Sequence, residues 1–322
     1  MLFRSGATLR GYGCAGLGAT AYGIICEELE RGDSSVRSCV SVQSSLVMGA
    51  IHALGSEEQR SQWLPQLARG TKLGCFALTE AHGGSAPARM RTRARRRGGD
   101  WALDGAKHWI TNGALADVAV VWAASDDGIN AFLVEKGTSG FESRLIKNKM
   151  SLRASSTAEL ALVDVRVPDS ARLPQANGIK AALKCLDDAR FGIAWGACGA
   201  ARACLDTVLR YTESRELFGR PLSQTQLIQA RLADGVRKLT TAQLVAWRLA
   251  KLKEQGAANG AQVSLAKWNN VRAALDIARD CRDMLGAAGI TLDHVPMRHM
   301  LNLETVITYE GTESIHELIV GR

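Results

Sequence analysis

No run of apolar residues in this chain of 322 approaches the about 20 needed to cross a bilayer, and no secretory leader pattern opens it. An integral membrane protein is therefore excluded. The first ten residues are basic and free of acids, which faintly resembles an organelle-targeting segment but is too short to establish one. Metal-ligand spacing is missing as well. The eight cysteines (Cys14, Cys26, Cys39, Cys75, Cys185, Cys198, Cys204 and Cys281) form no Cys-x-x-Cys pair, and of the histidines only His294 and His299 lie near each other. Neither a zinc site nor a disulfide framework is expected; the thiols read as small core residues in a reducing compartment. Internal repeats and low-complexity linkers are absent too.

Acidic residues fall short of lysine and arginine, giving a net charge of +8. The excess is local. Arg89, Arg91, Arg93, Arg95, Arg96 and Arg97 lie within nine positions, and without these six the net charge would be +2. Arg89 to Arg95 alternate with Met90, Thr92 and Ala94, which puts the arginines on one face of a strand. Such a face is either plainly solvated or a surface that attracts an anion such as a coenzyme A phosphate. No aromatics interleave the basic residues, so nucleic acid is not an expected partner.

What is present is a soluble globular composition, 46% hydrophobic and 22% charged, in a chain long enough for two or three domains. Three blocks follow from the periodicity. Residues 1–70 read as helical: Ala21 to Arg31, then Val36 to Leu54 capped by Asp33 and Ser34 and stopped by Gly55. A further helix runs to Leu67 from the capping box Ser56-Glu57-Glu58-Gln59. Residues 71–175 turn to short β-rich runs (Leu73 to Leu78, Trp101 to Trp109, Val118 to Ala123, Ala131 to Glu135, Glu159 to Val167), as in a compact antiparallel barrel or sandwich. Residues 176–322 return to long helical periods at Ala182 to Thr212, Thr225 to Glu254 and Ala261 to Leu285, with a last segment after Val306, as in a four-helix bundle. Gly11-Tyr12-Gly13-Cys14-Ala15-Gly16 satisfies G-x-G-x-x-G. However, no strand precedes it and helix follows Asp33, so a dinucleotide-binding βαβ unit is not indicated.

The most informative stretch is Leu301 to His316. It places Glu310 on a Tyr309-Glu310-Gly311-Thr312 turn between apolar runs. Gly311 lets the backbone close behind the acid, and Thr312 is suited to cap a following helix. Near apolar walls such a carboxylate serves as a base toward a weakly acidic C–H, although spacing alone favours an exposed acid beside a helix start. Cys75 to Ser85 ends in a Gly83-Gly84-Ser85 loop whose N–H groups suit flavin carbonyls or a pyrophosphate, although on its own a plain glycine-rich turn is the preferred reading. Arg37 and Ser41 stand four apart and share a helix face, which suits a terminal carboxylate, although spacing alone favours a surface arginine near serines.

These motifs, with Lys107 to Asn112, Lys149 to Thr157, Leu186 to Ala194, Ser214 to Leu222 and Asp283 to Ile290, stand in the order of the acyl-CoA dehydrogenases. Nearly the whole chain resembles that family. Around Glu30, Arg37 and Ser41, and at His299 to Glu304, it is similar to the glutaryl-CoA dehydrogenase branch. The resemblance implies an α+β multidomain fold: partial N-terminal helices, a middle β domain and a C-terminal helical bundle. It implies FAD, an acyl-CoA substrate, electron-transfer flavoprotein as acceptor and a homotetramer, in the mitochondrial matrix of a eukaryote or the cytoplasm of a bacterium. Glu310 would be the catalytic base. Substrate contacts are implied at Glu30, Arg37, Ser38, Ser41, Ser85, Arg190, Tyr309 and Gly311. Flavin contacts are implied at Phe76, Leu78, Thr79, Gly84, Ser85, Trp109, Ile110 and Thr111, and again at Arg215, Phe218, Gln226, Asp283, Leu285, Gly286, Thr312 and Glu313. No metal is implied.

There are departures. Ala81 and Ala86 replace the family's usual proline and aspartate in the glycine loop, and Ala287 and Ala288 replace Gly-Asn. The family also has helices before Gly11 and a last helix running beyond Arg322. Oxidative decarboxylation of glutaryl-CoA to crotonyl-CoA is the leading expectation. A shortened, inactive relative that binds acyl-CoA or oligomerises, and a dehydrogenase of another acyl preference, are the alternatives.

Overall fold

The computed structural model describes residues 6–322. It divides into two compact units, one comprising residues up to Gly18, Ser38–Lys149 and Ala154–Ala189, the other Ala19–Arg37, Met150–Arg153 and Arg190–Arg322. The class is mixed α+β, with helices first, a β sheet in the middle and helices last. No described helix is long and apolar enough to cross a membrane.

In the first unit the helical run expected from Val36 to Leu54 is broken in character. Helix α2 spans Ser34–Ser41, a seven-residue π segment follows at Val42–Met48, and α3 completes it at Gly49–Leu54. All seven π residues are buried. Gln43 shows what the wider turn achieves: its side-chain amide donates to the carbonyls of Leu67 and Lys72 and accepts from the Gly74 N–H at 2.8 Å. That ties the helix to the chain entering the first strand. Gly55 does end α3, but in extended backbone; a Cβ there would sit 2.5 Å from the Ile51 carbonyl, so close approach is what requires glycine. Helix α4, Glu57–Arg69, has the full reciprocal capping box of Ser56 and Gln59.

The sheet has seven strands: β1 Gly74–Ala77, β2 Arg93–Arg97, β3 Asp100–Ile110, β4 Val118–Ser125, β5 Gly128–Glu135, β6 Phe141–Leu145 and β7 Ala158–Val167. Its order is β1-β4-β2-β3-β7-β6, with β5 on β4. It is not wholly antiparallel as expected, because β1 runs parallel to β4. The arginine alternation holds. Met90, Thr92 and Ala94 are buried while Arg89, Arg91, Arg93 and Arg95 face out. Arg96 lies 4.1 Å over the Trp101 ring and pairs with Asp169. Strand β6 escaped sequence reading because it is short and mostly exposed, with little apolar pattern to reveal it. Among the described residues no strand precedes Gly11 and helix follows Asp33, so no βαβ unit is formed there.

The second unit is helical. Helix α1 covers Ala19–Gly32, α5 Ile179–Ser214, α6 Gln226–Glu254, α7 Gly260–Met284, α8 Pro296–Val306 and α9 Glu313–Val320, with a small hairpin of β8 Glu216–Leu217 and β9 Arg220–Pro221 after α5. Side chains of α5, α6, α7 and α8 share one apolar cluster, so the fourth helix of this core lies before Val306 and not after it as expected. Asp33 caps α2 by accepting the Ser35 N–H at 2.7 Å, whereas the Ser34 hydroxyl, also expected as a cap, has no partner. Helix α1 sits against α5 along glycines: Gly192 faces Tyr22 and Cys26, and a side chain at Gly199 would overlap the Glu27 carbonyl. That close seam brings Glu30 down to α5.

Gln43→Ala leaves the buried Gly74 N–H without its acceptor and takes a donor from the Leu67 and Lys72 carbonyls. It should lower stability by about 2 kcal/mol in denaturant unfolding, with an unchanged slope.

Candidate active site

The turn holding Glu310 is built from strained backbone and buried cations. Glu310 has φ +52°, a left-handed conformation that costs a non-glycine residue about 1 kcal/mol or more, and Gly311 follows at φ +100°. Three consecutive carbonyls hold this shape. Lys267 Nζ on α7 donates to Tyr309 O at 2.8 Å and to Gly311 O at 2.7 Å, while Arg190 Nε on α5 donates to Glu310 O at 2.8 Å. Beyond the turn, the Thr312 hydroxyl accepts the Ile315 N–H and starts α9, as its sequence suggested. His316, fully buried, closes beneath Gly311: a Cβ on that glycine would lie 2.8 Å from the imidazole.

On the carboxyl itself, Oε2 is shielded and has no hydrogen-bond partner. Burial pushes Glu310 above the ordinary carboxylate range, although Arg37, Arg190 and Lys267 pull the other way. Lys267 responds in kind, since burial draws its ammonium down to about 7 against the attraction of Glu310. Burial, helped by Lys267 and Arg190, also lowers His316 to about 3, so a neutral ring lies under the turn.

Arg37 is fully buried. Its Nε pairs with Glu30 Oε2 at 2.6 Å and its Nη2 donates to the Tyr309 hydroxyl. Burial works against the guanidinium, but Glu30 and Tyr309 more than compensate and hold it firmly charged. Burial likewise raises the Tyr309 hydroxyl, so it stays protonated. Glu30, Arg37, Arg190, Tyr309, Glu310 and Gly311, six residues singled out from sequence, therefore form one connected group. Arg190, expected to touch substrate, is seen holding the Glu310 carbonyl.

Other expected residues lie elsewhere in the same unit. Arg215, Phe218 and Gln226 are exposed around the β8–β9 hairpin; Phe218 is 94% exposed in left-handed backbone. Asp283 is paired with Arg231 and Arg282, and Leu285 is core. Gly286 makes an exposed left-handed turn. Glu313 is engaged by Arg272 and by the Trp268 indole N–H at 3.1 Å.

In the first unit, Ser38 and Ser41 are buried further along α2, the latter's hydroxyl unpartnered. Phe76, Leu78 and Ile110 put their side chains into core, which leaves only their backbone for a ligand. Gly84 and Ser85 are exposed, Thr111 is half-buried, and the Thr79 carbonyl accepts the His108 N–H. Trp109 is displayed 57% exposed at φ +62°, beside a register shift in β3. The loop before it is anchored by Glu80, which accepts from the amides of Arg91 and Thr92, the Thr92 hydroxyl and Lys107 Nζ. Burial alone would raise Glu80, yet these donors bring it down to about 2.

Sequence reasoning missed Lys267, His316 and Glu80 with Lys107. Lys267 had a legible signal: it falls in register with Val263, Asn270, Val271 and Ala274 on the buried face of an amphipathic helix, where lysine needs a partner. Among the described residues no group of His, Cys, Asp or Glu is arranged to hold a metal.

Comparison with known proteins accords with this geometry. Residues 5–71 match the N-terminal domain of acyl-CoA dehydrogenase, 75–165 its middle domain and 176–322 its C-terminal domain. The chain belongs to the acyl-CoA dehydrogenase family and is a flavoprotein oxidoreductase by class. The mitochondrial short-chain specific acyl-CoA dehydrogenase of Bos taurus is 39% identical over 313 residues, 95% of this chain and 76% of that protein. The crystal structure of glutaryl-CoA dehydrogenase from Mycobacterium smegmatis is 57% identical, with a TM-score of 0.98 over 99% of this chain and 83% of that one; the structure of a glutaryl-CoA dehydrogenase from the same organism in complex with FADH2 is 55% identical with the same TM-score and coverage. A structure titled as electron transferring flavoprotein of Acidaminococcus fermentans is 34% identical, with a TM-score of 0.93 over 97% of this chain and 83% of that one.

Two outcomes follow. Glu310→Gln removes a buried charge whose folded-state pKa is raised, a group whose stability contribution is present at low pH and lost as pH rises. The variant should therefore melt above wild type at neutral pH, with the gain vanishing toward pH 4. Gly311→Ala should lose about 2 kcal/mol in thermal or denaturant unfolding, from its backbone angle and the His316 ring.

Proposed function

We propose that the protein is an FAD-dependent glutaryl-CoA dehydrogenase that desaturates the thioester and releases CO2 to leave crotonyl-CoA. One observation carries the choice of substrate: the charged, buried Arg37 is joined through Tyr309 to the turn that holds Glu310. A guanidinium kept charged in such a place suits the distal carboxylate of a five-carbon diacid thioester. The 57% identity to the Mycobacterium smegmatis enzyme supports the same reading.

The cofactor is FAD, and the chain's displayed groups fit it. Trp109 and Phe218 hold aromatic rings out in left-handed backbone, an arrangement with a backbone cost that a planar ring system would repay by covering them. Trp109, Thr111, Gly84 and Ser85 of the β unit would contact the flavin, while Arg215, Phe218 and Gln226 resemble the stretch that grips the flavin adenine dinucleotide of a neighbouring subunit. When bound, the flavin supplies the hydride acceptor. Glu310 removes the α-proton; its raised pKa makes it a stronger base than an exposed carboxylate. Its backbone N–H stabilises the thioester oxygen as negative charge develops there. Desaturation leaves a vinylogous acid; losing CO2 gives a dienolate, and the same carboxyl returns its proton to carbon. Arg37 holds the distal carboxylate during the first step. Electrons leave to an electron-transfer flavoprotein, and exposed Leu227, Val236, Leu244 and Trp247 on α6 support assembly into a tetramer.

Anaerobic addition of glutaryl-CoA to the purified yellow protein should bleach the flavin and release CO2 stoichiometrically with crotonyl-CoA. Glu310→Gln should slow bleaching by about 100-fold or more. Bleaching by butyryl-CoA but not glutaryl-CoA would assign a different acyl preference, and a colourless protein would exclude the enzyme reading.

A further inference from the structure

Gly196 lies in the middle of α5, where glycine costs about 1 kcal/mol relative to alanine. Its φ is not left-handed, so conformation does not require glycine there. Space does. A Cβ at this position would overlap Glu30 Oε2, standing 3.0 Å from its Cδ and 3.1 Å from Arg37 Nε. The neighbouring glycines meet different things: Gly199 faces the backbone of α1, and Gly192 faces Cys26 and Tyr22. Only Gly196 borders the ion pair.

The atom in the way belongs to the end of a flexible side chain, so α1 need not move if 196 gains a methyl group. The carboxylate must. Glu30 has no accessible surface, and its second oxygen already has no partner, so no alternative polar position awaits it. Arg37 would then lose the acceptor that orients its Nε, while keeping its donor contact to the Tyr309 hydroxyl.

We propose that Gly196 is a specificity-determining position: the space it leaves seats Glu30 against Arg37 and thereby orients the guanidinium for the distal carboxylate of a dicarboxylic thioester. It acts through Glu30 and Arg37 as a positioning residue. The inference rests on the proposed glutaryl-CoA reading. A monocarboxylic thioester of the same length makes no demand on Arg37, so filling the space should penalise only the diacid.

The test is steady-state kinetics of the flavin-loaded protein and its Gly196→Ala variant, with glutaryl-CoA and with pentanoyl-CoA. For glutaryl-CoA, KM should rise at least tenfold with a smaller change in kcat; kcat/KM for pentanoyl-CoA should stay within threefold. In a Glu30→Ala background there is no carboxylate to displace, so adding Gly196→Ala should change glutaryl-CoA kinetics less than twofold. Equal losses on both thioesters, an unchanged preference, or full additivity with Glu30→Ala would overturn the proposal. Should Gly196→Ala not fold, Glu30→Ala alone must show the diacid-selective loss and the double variant must fold; failure of either has the same force. Wild-type protein that turns over pentanoyl-CoA but not glutaryl-CoA would instead refute the functional reading on which this rests.

Discussion

Lys267 and Arg190 together bind the carbonyl oxygens of Tyr309, Glu310 and Gly311, so three successive peptide groups are held by two buried cations. A backbone turn with an acid in left-handed conformation would ordinarily relax. Here relaxation would leave the buried Lys267 ammonium without its two carbonyl acceptors, at a cost of several kcal/mol, and would take the Glu310 carbonyl from Arg190. The strain at Glu310 is thus the smaller of two penalties, and the turn stays as it is. The same cations, with Arg37, partly offset the burial that raises the Glu310 pKa.

Arg37 extends the network. It reaches the turn through the Tyr309 hydroxyl and reaches α1 through Glu30, so the group proposed to bind the distal carboxylate and the proposed base are parts of one hydrogen-bonded series. Small residues make the series possible. Helix α1 approaches α5 closely along glycines, and at Gly196 the missing side chain leaves the space that the Glu30 carboxylate occupies beside Arg37. Core packing and specificity are in this respect the same constraint: a seam that looks like ordinary helix packing decides where a charge can sit.

Much of the fold was legible in sequence because it follows local rules. Capping at Ser56 and Thr312, the arginine alternation before Trp101 and the long apolar periods of α5 to α7 each carry their own signal. The π segment at Val42–Met48 was invisible because its residues look like any buried helix; what sets it apart is a hydrogen-bond shift and the reach of Gln43 to Leu67, Lys72 and Gly74. Parallel pairing of β1 with β4 was hidden for a related reason, since strand periodicity says nothing of direction. Of the site, the acid and its turn were readable from motif. The clamp was not, because Lys267 and Arg190 lie 43 and 120 residues from Glu310 and meet it only through backbone oxygen atoms. Arg190 was found by resemblance as a substrate contact; its hold on the Glu310 carbonyl was not foreseen.

The central claim is that Glu310 is the base and that burial raises its pKa against the pull of Arg37, Arg190 and the Lys267 cation. Exchange of the thioester α-hydrogen with solvent deuterium, followed against pH in wild type and Lys267→Met, tests both parts together. The account predicts an exchange rate that rises with pH through a midpoint above the usual carboxylate range, moving higher still when the ammonium is removed. A midpoint near that of an exposed glutamate, or one that does not respond to Lys267→Met, would contradict it.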